Sequence, residues 1–102
     1  MTGWDFDGVI TTGKYKPEFT DAIITGNTIG MFAHVIKTMR ELNVACPVYF
    51  NPYSWAANNN EAVAFWKVEM IQRLGCEYYY EDDSTQFQII KQCCPKTMVI
   101  KV

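Results

Sequence analysis

The chain has 102 residues, of which 49% are hydrophobic and 20% are charged, so it is long enough for one globular domain with a single core. Its formal net charge of -2 excludes a strongly basic surface, which argues against general nucleic-acid binding through phosphate neutralisation. No apolar run reaches the ~20 residues that a membrane-spanning helix needs, so we expect no membrane segment.

The N-terminal segment and the cysteines favour a cytoplasmic location. Residues 1–5 contain neither the basic region nor the apolar region of a signal peptide. The four cysteines have no C-x-x-C spacing, and two of them, Cys93 and Cys94, are adjacent in the chain. A disulfide set in a secreted protein is the alternative, but without a signal peptide we expect reduced, mostly buried thiols.

Short apolar runs alternate with helical patterns along the chain. The first apolar run covers residues 4–10 and is interrupted by acidic residues. Four further runs predict short buried strands, at residues 21–25, 48–50, 78–80 and 98–100.

Three segments between these runs predict helices. Apolar residues recur every three or four positions over residues 29–42 and again over residues 63–74. A third, shorter helix is expected over residues 84–94, with Asp83 or Ser84 as its N-cap. The predicted order is β-β-α-β-α-β-α-β, and strands joined by helices require right-handed crossovers and a parallel sheet. The whole chain, residues 1–102, is therefore predicted to form one three-layer α/β domain with five parallel strands.

Acidic residues follow two of the predicted strands. Asp5 and Asp7 follow the first strand, and Glu81, Asp82 and Asp83 follow the fourth. Ligands of parallel sheets bind beyond the carboxyl ends of the strands, so these carboxylates are expected to converge at one edge. Because packed carboxylates repel one another, a hard cation with oxygen ligands, Mg²⁺, is expected among them.

Asp5 and Asp7 have the spacing of a catalytic pair, since a turn at the strand end can bring both to one reacting centre. One carboxylate can then act as a nucleophile while the other donates and accepts a proton. Gly8 allows the backbone to turn and to approach a ligand closely. The alternative is that residues 5–8 form only a polar turn.

Two further positions favour an anion-binding site. Lys67 falls within the apolar arc of the second predicted helix, where a buried ammonium needs a carboxylate or phosphate partner. The alternative is that its side chain extends along the core edge to water. Thr25 and the N–H groups from Gly26 onward stand where a strand passes into a helix, a position that can hold an anion; an ordinary strand-end threonine is the alternative.

These residues, in this order, resemble the haloacid-dehalogenase-like superfamily, whose fold is Rossmann-like. Residues 4–9 fit its first motif, an apolar strand followed by Asp-x-Asp-Gly-Thr/Val. Residues 25–26 resemble the Thr-Gly of the second motif, with Asn27 where the family often has arginine. Lys67 matches the helical lysine of the third motif, and residues 81–83 match the acidic pair of the fourth.

The resemblance implies a phosphatase that works through an aspartyl-phosphate. Asp5 would be the nucleophile and Asp7 the general acid and base. Thr25, Gly26 and Lys67 would bind the transferred phosphoryl group.

The same resemblance implies how Mg²⁺ is held. Asp5, the backbone carbonyl of Asp7 and one of Glu81, Asp82 and Asp83 would be the ligands, with Asp82 as the first choice. The segments that carry the family's cap domains are short here. An open, capless site suits a bulky or macromolecular phosphoester, or a lid from another subunit, so self-association is a further expectation.

Two other classes of function remain alternatives. The first is a non-catalytic domain that keeps the fold and serves as a binding or scaffolding module. The second is a phosphoacceptor receiver domain, which would carry its phosphorylated aspartate after a middle strand. Residues 50–52 read Phe-Asn-Pro at that position, so the receiver domain ranks lowest.

Overall fold

The computed structural model describes residues 1–102 and contains five strands and three α-helices, in the order predicted from the sequence. The strands are β1 (Thr2–Trp4), β2 (Ala22–Ile24), β3 (Val48–Tyr49), β4 (Tyr78–Glu81) and β5 (Met98–Lys101). The helices are α1 (Phe32–Glu41), α2 (Asn60–Leu74) and α3 (Ser84–Cys93).

All neighbouring strands are parallel, in the spatial order β3-β2-β1-β4-β5. The chain builds the sheet outward from β1 through β2 to β3, then crosses to the other side of β1 to add β4 and β5. The strand order therefore reverses between β1 and β4, and ligands of such sheets bind beyond the carboxyl ends at this point. The predicted three-layer, Rossmann-like α/β fold with five parallel strands is confirmed.

The two faces of the sheet carry separate apolar cores. Ile23 packs with Val35 and Met39 of α1 on one face, whereas its neighbour Ile24 packs with Ile71 of α2 and Ile90 of α3 on the other. This alternation follows from the two-residue period of a strand, and it explains why the buried strand is continuously apolar. None of the three helices has the length and apolar character needed to cross a bilayer.

The first strand ends before Asp5 as expected, whereas one predicted helix differs from the structure. β1 ends at Trp4, and the chain then turns, with Gly8 at φ +78°. The first helix starts at Phe32, preceded by one 3-10 turn at Ile29–Met31. Ile29, which shares the apolar spacing of that helix, is 68% exposed because it lies in this turn.

The cysteines agree with the expectation of reduced, mostly buried thiols. All four are free, and Cys46, Cys76 and Cys94 are buried. Burial raises the pKa of Cys46 and of Cys94 to about 11, because an ionised thiol would lose its hydration in the core. These thiols therefore stay protonated at neutral pH, as expected for packing residues.

Candidate functional site

The centre of the site is a buried lysine between two carboxylates. Lys67 Nζ on α2 donates to Asp5 Oδ1 at 2.9 Å, to Glu81 Oε1 at 2.9 Å and to Gln86 Oε1 at 2.7 Å. The three donors of the ammonium are thus all used, and Lys67 is only 2% exposed. The side chain is a buried ion-pair partner and does not extend to water, which decides between the two alternatives for this residue.

Asp5 has one oxygen that accepts from N–H donors and one that accepts from none. Oδ1 accepts from the backbone N–H of Phe6 and from Lys67 Nζ, both at 2.9 Å. Oδ2 accepts no hydrogen bond, although the residue lines an open cavity at the carboxyl end of β1. This oxygen is therefore the one available to a cation or an electrophile.

Burial raises the pKa of Asp5 from an ordinary value of 3.8 to about 9, because desolvation disfavours the ionised form. The Lys67 ammonium lowers the pKa and the nearby Glu81 carboxylate raises it. Desolvation also disfavours the charged form of Lys67, but Asp5 and Glu81 outweigh it and raise the pKa of Lys67 above its ordinary value. When Asp5 is ionised, the cluster holds two carboxylates for one ammonium, so a bound cation would stabilise that form.

Glu81 and Asp82 complete an acidic cluster with Asp5, and one carboxylate oxygen from each lies within 4.8 Å of the others. Glu81 is fully buried, and both its oxygens already accept hydrogen bonds, Oε1 from Lys67 and Tyr79 and Oε2 from the N–H of Asp83. Asp82 accepts none and is the more exposed of the pair. The residues that fit a hard cation are therefore Asp5 and Asp82, and Glu81 acts mainly as the partner of Lys67.

Gly8 is required for the position of Asp82. It has a φ of +78°, and a Cβ added there would stand 1.8 Å from Asp82 Oδ2. The loop after β1 therefore packs directly against the carboxylate that follows β4. This contact brings the carboxyl ends of the two strands close together. Only glycine combines this backbone angle with so close an approach.

Asp83 and Asp7 stand outside the acidic cluster. Asp83 Oδ1 accepts from the N–H of Gln86 at 2.8 Å, so Asp83, and not Ser84, is the N-cap of α3. The cap therefore occupies an oxygen of Asp83, which was predicted from the sequence as a candidate metal ligand. Asp7 is exposed in the same cavity, with its Oδ2 accepting from Asn27 Nδ2 at 3.0 Å.

The position of Thr25 differs from the one that its predicted role in phosphoryl binding requires. It is 1% exposed and does not line the cavity, whereas Gly26 and Asn27 do. Thr25 Oγ1 accepts from the backbone N–H of Asn27 at 3.1 Å and from Asn27 Nδ2 at 3.0 Å. The hydroxyl of Thr25 is therefore in contact with Asn27, which stands between it and the cavity.

Two residues of the site were missed by sequence reasoning. Asn27 Nδ2 joins Asp7 to Thr25, although the sequence marks it only as a departure from the family's arginine. Gln86 accepts from Lys67 and donates to Asn60 Oδ1. Its only sequence signal is its position three residues after the N-cap Asp83, which is typical of a capping box and would have suggested a local role.

The open cavity around these groups has a volume of about 480 Å³. Five carboxylates and one lysine line it, together with side-chain amides of Asn27, Asn58, Asn60 and Gln86. Such a lining can hold a cation directly and can bind a phosphoryl group once that cation is present. Comparisons of the chain with protein-family models, with curated proteins and with solved structures give no match.

Proposed function

We propose that the protein is a Mg²⁺-dependent phosphohydrolase of the haloacid-dehalogenase-like type, with Asp5 as its nucleophile. The observation that carries the proposal is the Asp5 carboxylate, which lies near Asp82 in an open cavity and is held at Oδ1 by Lys67, while its Oδ2 accepts no hydrogen bond. A buried carboxylate held by hydrogen bonds at one oxygen and free at the other is what nucleophilic attack requires.

Each residue of the site has a defined part in the proposed reaction. Asp5 Oδ2 attacks phosphorus, the bond from phosphorus to the leaving oxygen breaks, and Asp7 supplies the proton to that oxygen. In the second half, Asp7 removes a proton from water as the water attacks the aspartyl-phosphate and releases Asp5. Lys67 fixes Asp5, the Gly26 N–H is a donor toward the phosphoryl oxygens, and Thr25 helps to position Asn27 beside Asp7.

The Asp5 and Asp82 carboxylates would hold Mg²⁺, which would supply charge neutralisation to the phosphoryl group when bound. The carbonyl of Asp7 remains a further ligand by resemblance. The acidic lining gives a physical reason for the cation, because an anionic substrate would otherwise meet net negative charge.

The proposal is tested by incubating the purified chain with p-nitrophenyl phosphate and a panel of phosphomonoesters, in Mg²⁺ and in chelator. We expect turnover in Mg²⁺ and none in chelator. The open cavity favours bulky substrates, so the panel includes phosphopeptides as well as small esters. Equal rates under both conditions would contradict the metal-dependent mechanism.

The raised pKa of Asp5 predicts a pH-dependent response to Mg²⁺. Because the folded-state pKa of about 9 exceeds 3.8, the stability that Asp5 contributes is present below about pH 4 and is lost as pH rises through 9. A bound cation favours the ionised form and opposes that loss. Mg²⁺ should therefore raise Tm more at about pH 8.5 than at about pH 5.5. In Asp5→Asn this difference should disappear; an equal shift at both pH values in the unchanged chain would refute the coupling.

Asn27 is expected to act as a positioning residue for Asp7 and Thr25. In Asn27→Ala the amide that joins them is lost, so kcat should fall roughly 10–100-fold while the fold is kept. Asn58→Ala is the matched control, because Asn58 lines the same cavity but makes no side-chain hydrogen bond. A kcat for Asn27→Ala equal to that of the control, or an unchanged pH profile of kcat, would contradict the positioning role of Asn27.

The burial of Thr25 behind Asn27 supports a second candidate, a non-catalytic module that retains the metal site. In that case calorimetry would detect Mg²⁺ binding that depends on Asp82, while no phosphoester would be hydrolysed. The phosphohydrolase and the non-catalytic module thus differ in phosphoester hydrolysis, whereas both would bind Mg²⁺.

A further inference from the structure

A second recess lies beside the first turns of α2, next to the candidate site. Its volume is about 560 Å³, and aromatic side chains dominate its lining. Trp66 is buried at 6% exposure, whereas Trp55 and Phe65 are 78% and 56% exposed. Exposed large aromatics gathered around one depression are uncommon on a surface that serves only to face water.

The rings meet at steep angles around the recess. The ring centroid of Tyr53 lies 6.1 Å from that of Trp55 with an interplanar angle of 51°, and 6.3 Å from that of Trp66 at 78°. Trp55 and Phe65 keep most of their surface exposed at this recess, and the face of an aromatic ring carries the negative part of its quadrupole. Such exposed rings can attract a cation.

The charges at the rim agree with the ring geometry. Glu61 and Glu69 line the recess, and no lysine or arginine does. Glu69 accepts from Tyr53 Oη at 3.2 Å and from Arg73 Nη2 at 3.3 Å, whereas Glu61 forms no ion pair. Two carboxylates face one guanidinium, so the rim keeps one unmatched negative charge, at Glu61.

We propose that this recess binds an arginine side chain of a polypeptide partner. The planar guanidinium would stack on Trp55 with Glu61 as its counter-charge, and the apolar stem would lie along Phe65. A neutral apolar side chain would leave Glu61 without a partner, and an acidic one would be repelled. Arginine binding at this recess requires neither Mg²⁺ nor catalysis, so it is tested independently of the proposed phosphohydrolase.

The test is a titration of the isotope-labelled chain, without Mg²⁺, followed by NMR. The probe is a short, otherwise neutral peptide with two arginines, and the matched peptide carries citrulline, which keeps the shape and removes the charge. We expect saturable shifts at the Trp55 indole N–H and the amides of Glu61 and Phe65. Binding of the citrulline peptide should be about fivefold weaker or more, the size of a cation–π contact of ~1 kcal/mol.

Variants of exposed residues complete the experiment. Trp55→Ala and Glu61→Gln should each weaken arginine binding about fivefold or more, and Phe19→Ala, an exposed aromatic before β2, should leave it unchanged. Equal binding of the two peptides, or no shift with either, would overturn the proposal. Shifts that depend on protein concentration alone would assign the recess to a second copy of the chain and would overturn it as well.

Discussion

Replacing Asp5 with asparagine is expected to abolish Mg²⁺-dependent phosphate release, with kcat falling by at least about three orders of magnitude. Asparagine keeps an oxygen that can accept from Lys67 and from the N–H of Phe6, so the local structure is retained. It replaces the free oxygen of Asp5 with an amide that cannot attack phosphorus. Release of phosphate under steady-state conditions measures the effect directly.

The stability of this variant makes the kinetic result interpretable. Because burial raises the pKa of Asp5 to about 9, the metal-free carboxyl is largely protonated at neutral pH, and a neutral asparagine replaces it closely. Lys67 keeps Glu81 as its charged partner. We expect a change in unfolding free energy within about 1 kcal/mol in chelator. Activity retained by folded Asp5→Asn would show that another group is the nucleophile.

The second large effect is expected from Lys67→Met. The substitution leaves Asp5 and Glu81 buried together without their ammonium, and removing one partner of a buried ion pair costs roughly 3–5 kcal/mol. For a domain of this size each kcal/mol lowers Tm by about 4–8 °C, so a decrease of more than about 12 °C is expected. Urea and thermal unfolding in chelator measure it.

Two further variants show how much of the stability lost in Lys67→Met comes from the burial of the ion pairs and how much from the unpaired charge. Lys37→Met removes an exposed lysine whose Nζ lies 4.0 Å from Glu41, and its effect should stay within about 0.5 kcal/mol. Adding Glu81→Gln to Lys67→Met removes the unpaired buried charge, so part of the lost stability should return. If Lys67→Met were no more destabilising than Lys37→Met, the buried ion pairs would not contribute as described.

The convergence of the site could be predicted from the sequence because it depends on rules of topology. Parallel strands bring their carboxyl ends to one edge, which places Asp5 near residues 81–83. The position of Lys67 within an apolar helical arc then required a buried partner, and the structure supplies two. The first inference uses strand topology and the second uses helical periodicity, and neither requires knowledge of side-chain rotamers.

The separate roles of the three consecutive acids could not be predicted, because they depend on where β4 ends. The strand extends to Glu81, so Glu81 points to the same face as Tyr79 and reaches Lys67. Asp82 is then directed to the cavity, and Asp83 caps α3. A shift of one residue would exchange these roles, and apolar patterning does not locate a strand end to one residue.

The hydrogen bonds of Asn27 were beyond sequence reasoning for a related reason. They depend on the path of the loop after β2, where no periodic pattern applies. The same loop leads into the 3-10 turn that exposes Ile29, a residue whose spacing matched the core face of α1. Local backbone geometry at strand ends thus decides the fine structure of the site, while the strand order decides its position.

The central claim is that Asp5 accepts a phosphoryl group beside a cation held with Asp82. A crystal structure of the chain with Mg²⁺ and fluoroberyllate tests it most directly. We predict beryllium bonded to Asp5 Oδ2, with Mg²⁺ contacting both Asp5 and Asp82. Fluoroberyllate absent from Asp5, or Mg²⁺ bound away from these two carboxylates, would contradict the proposed catalytic site.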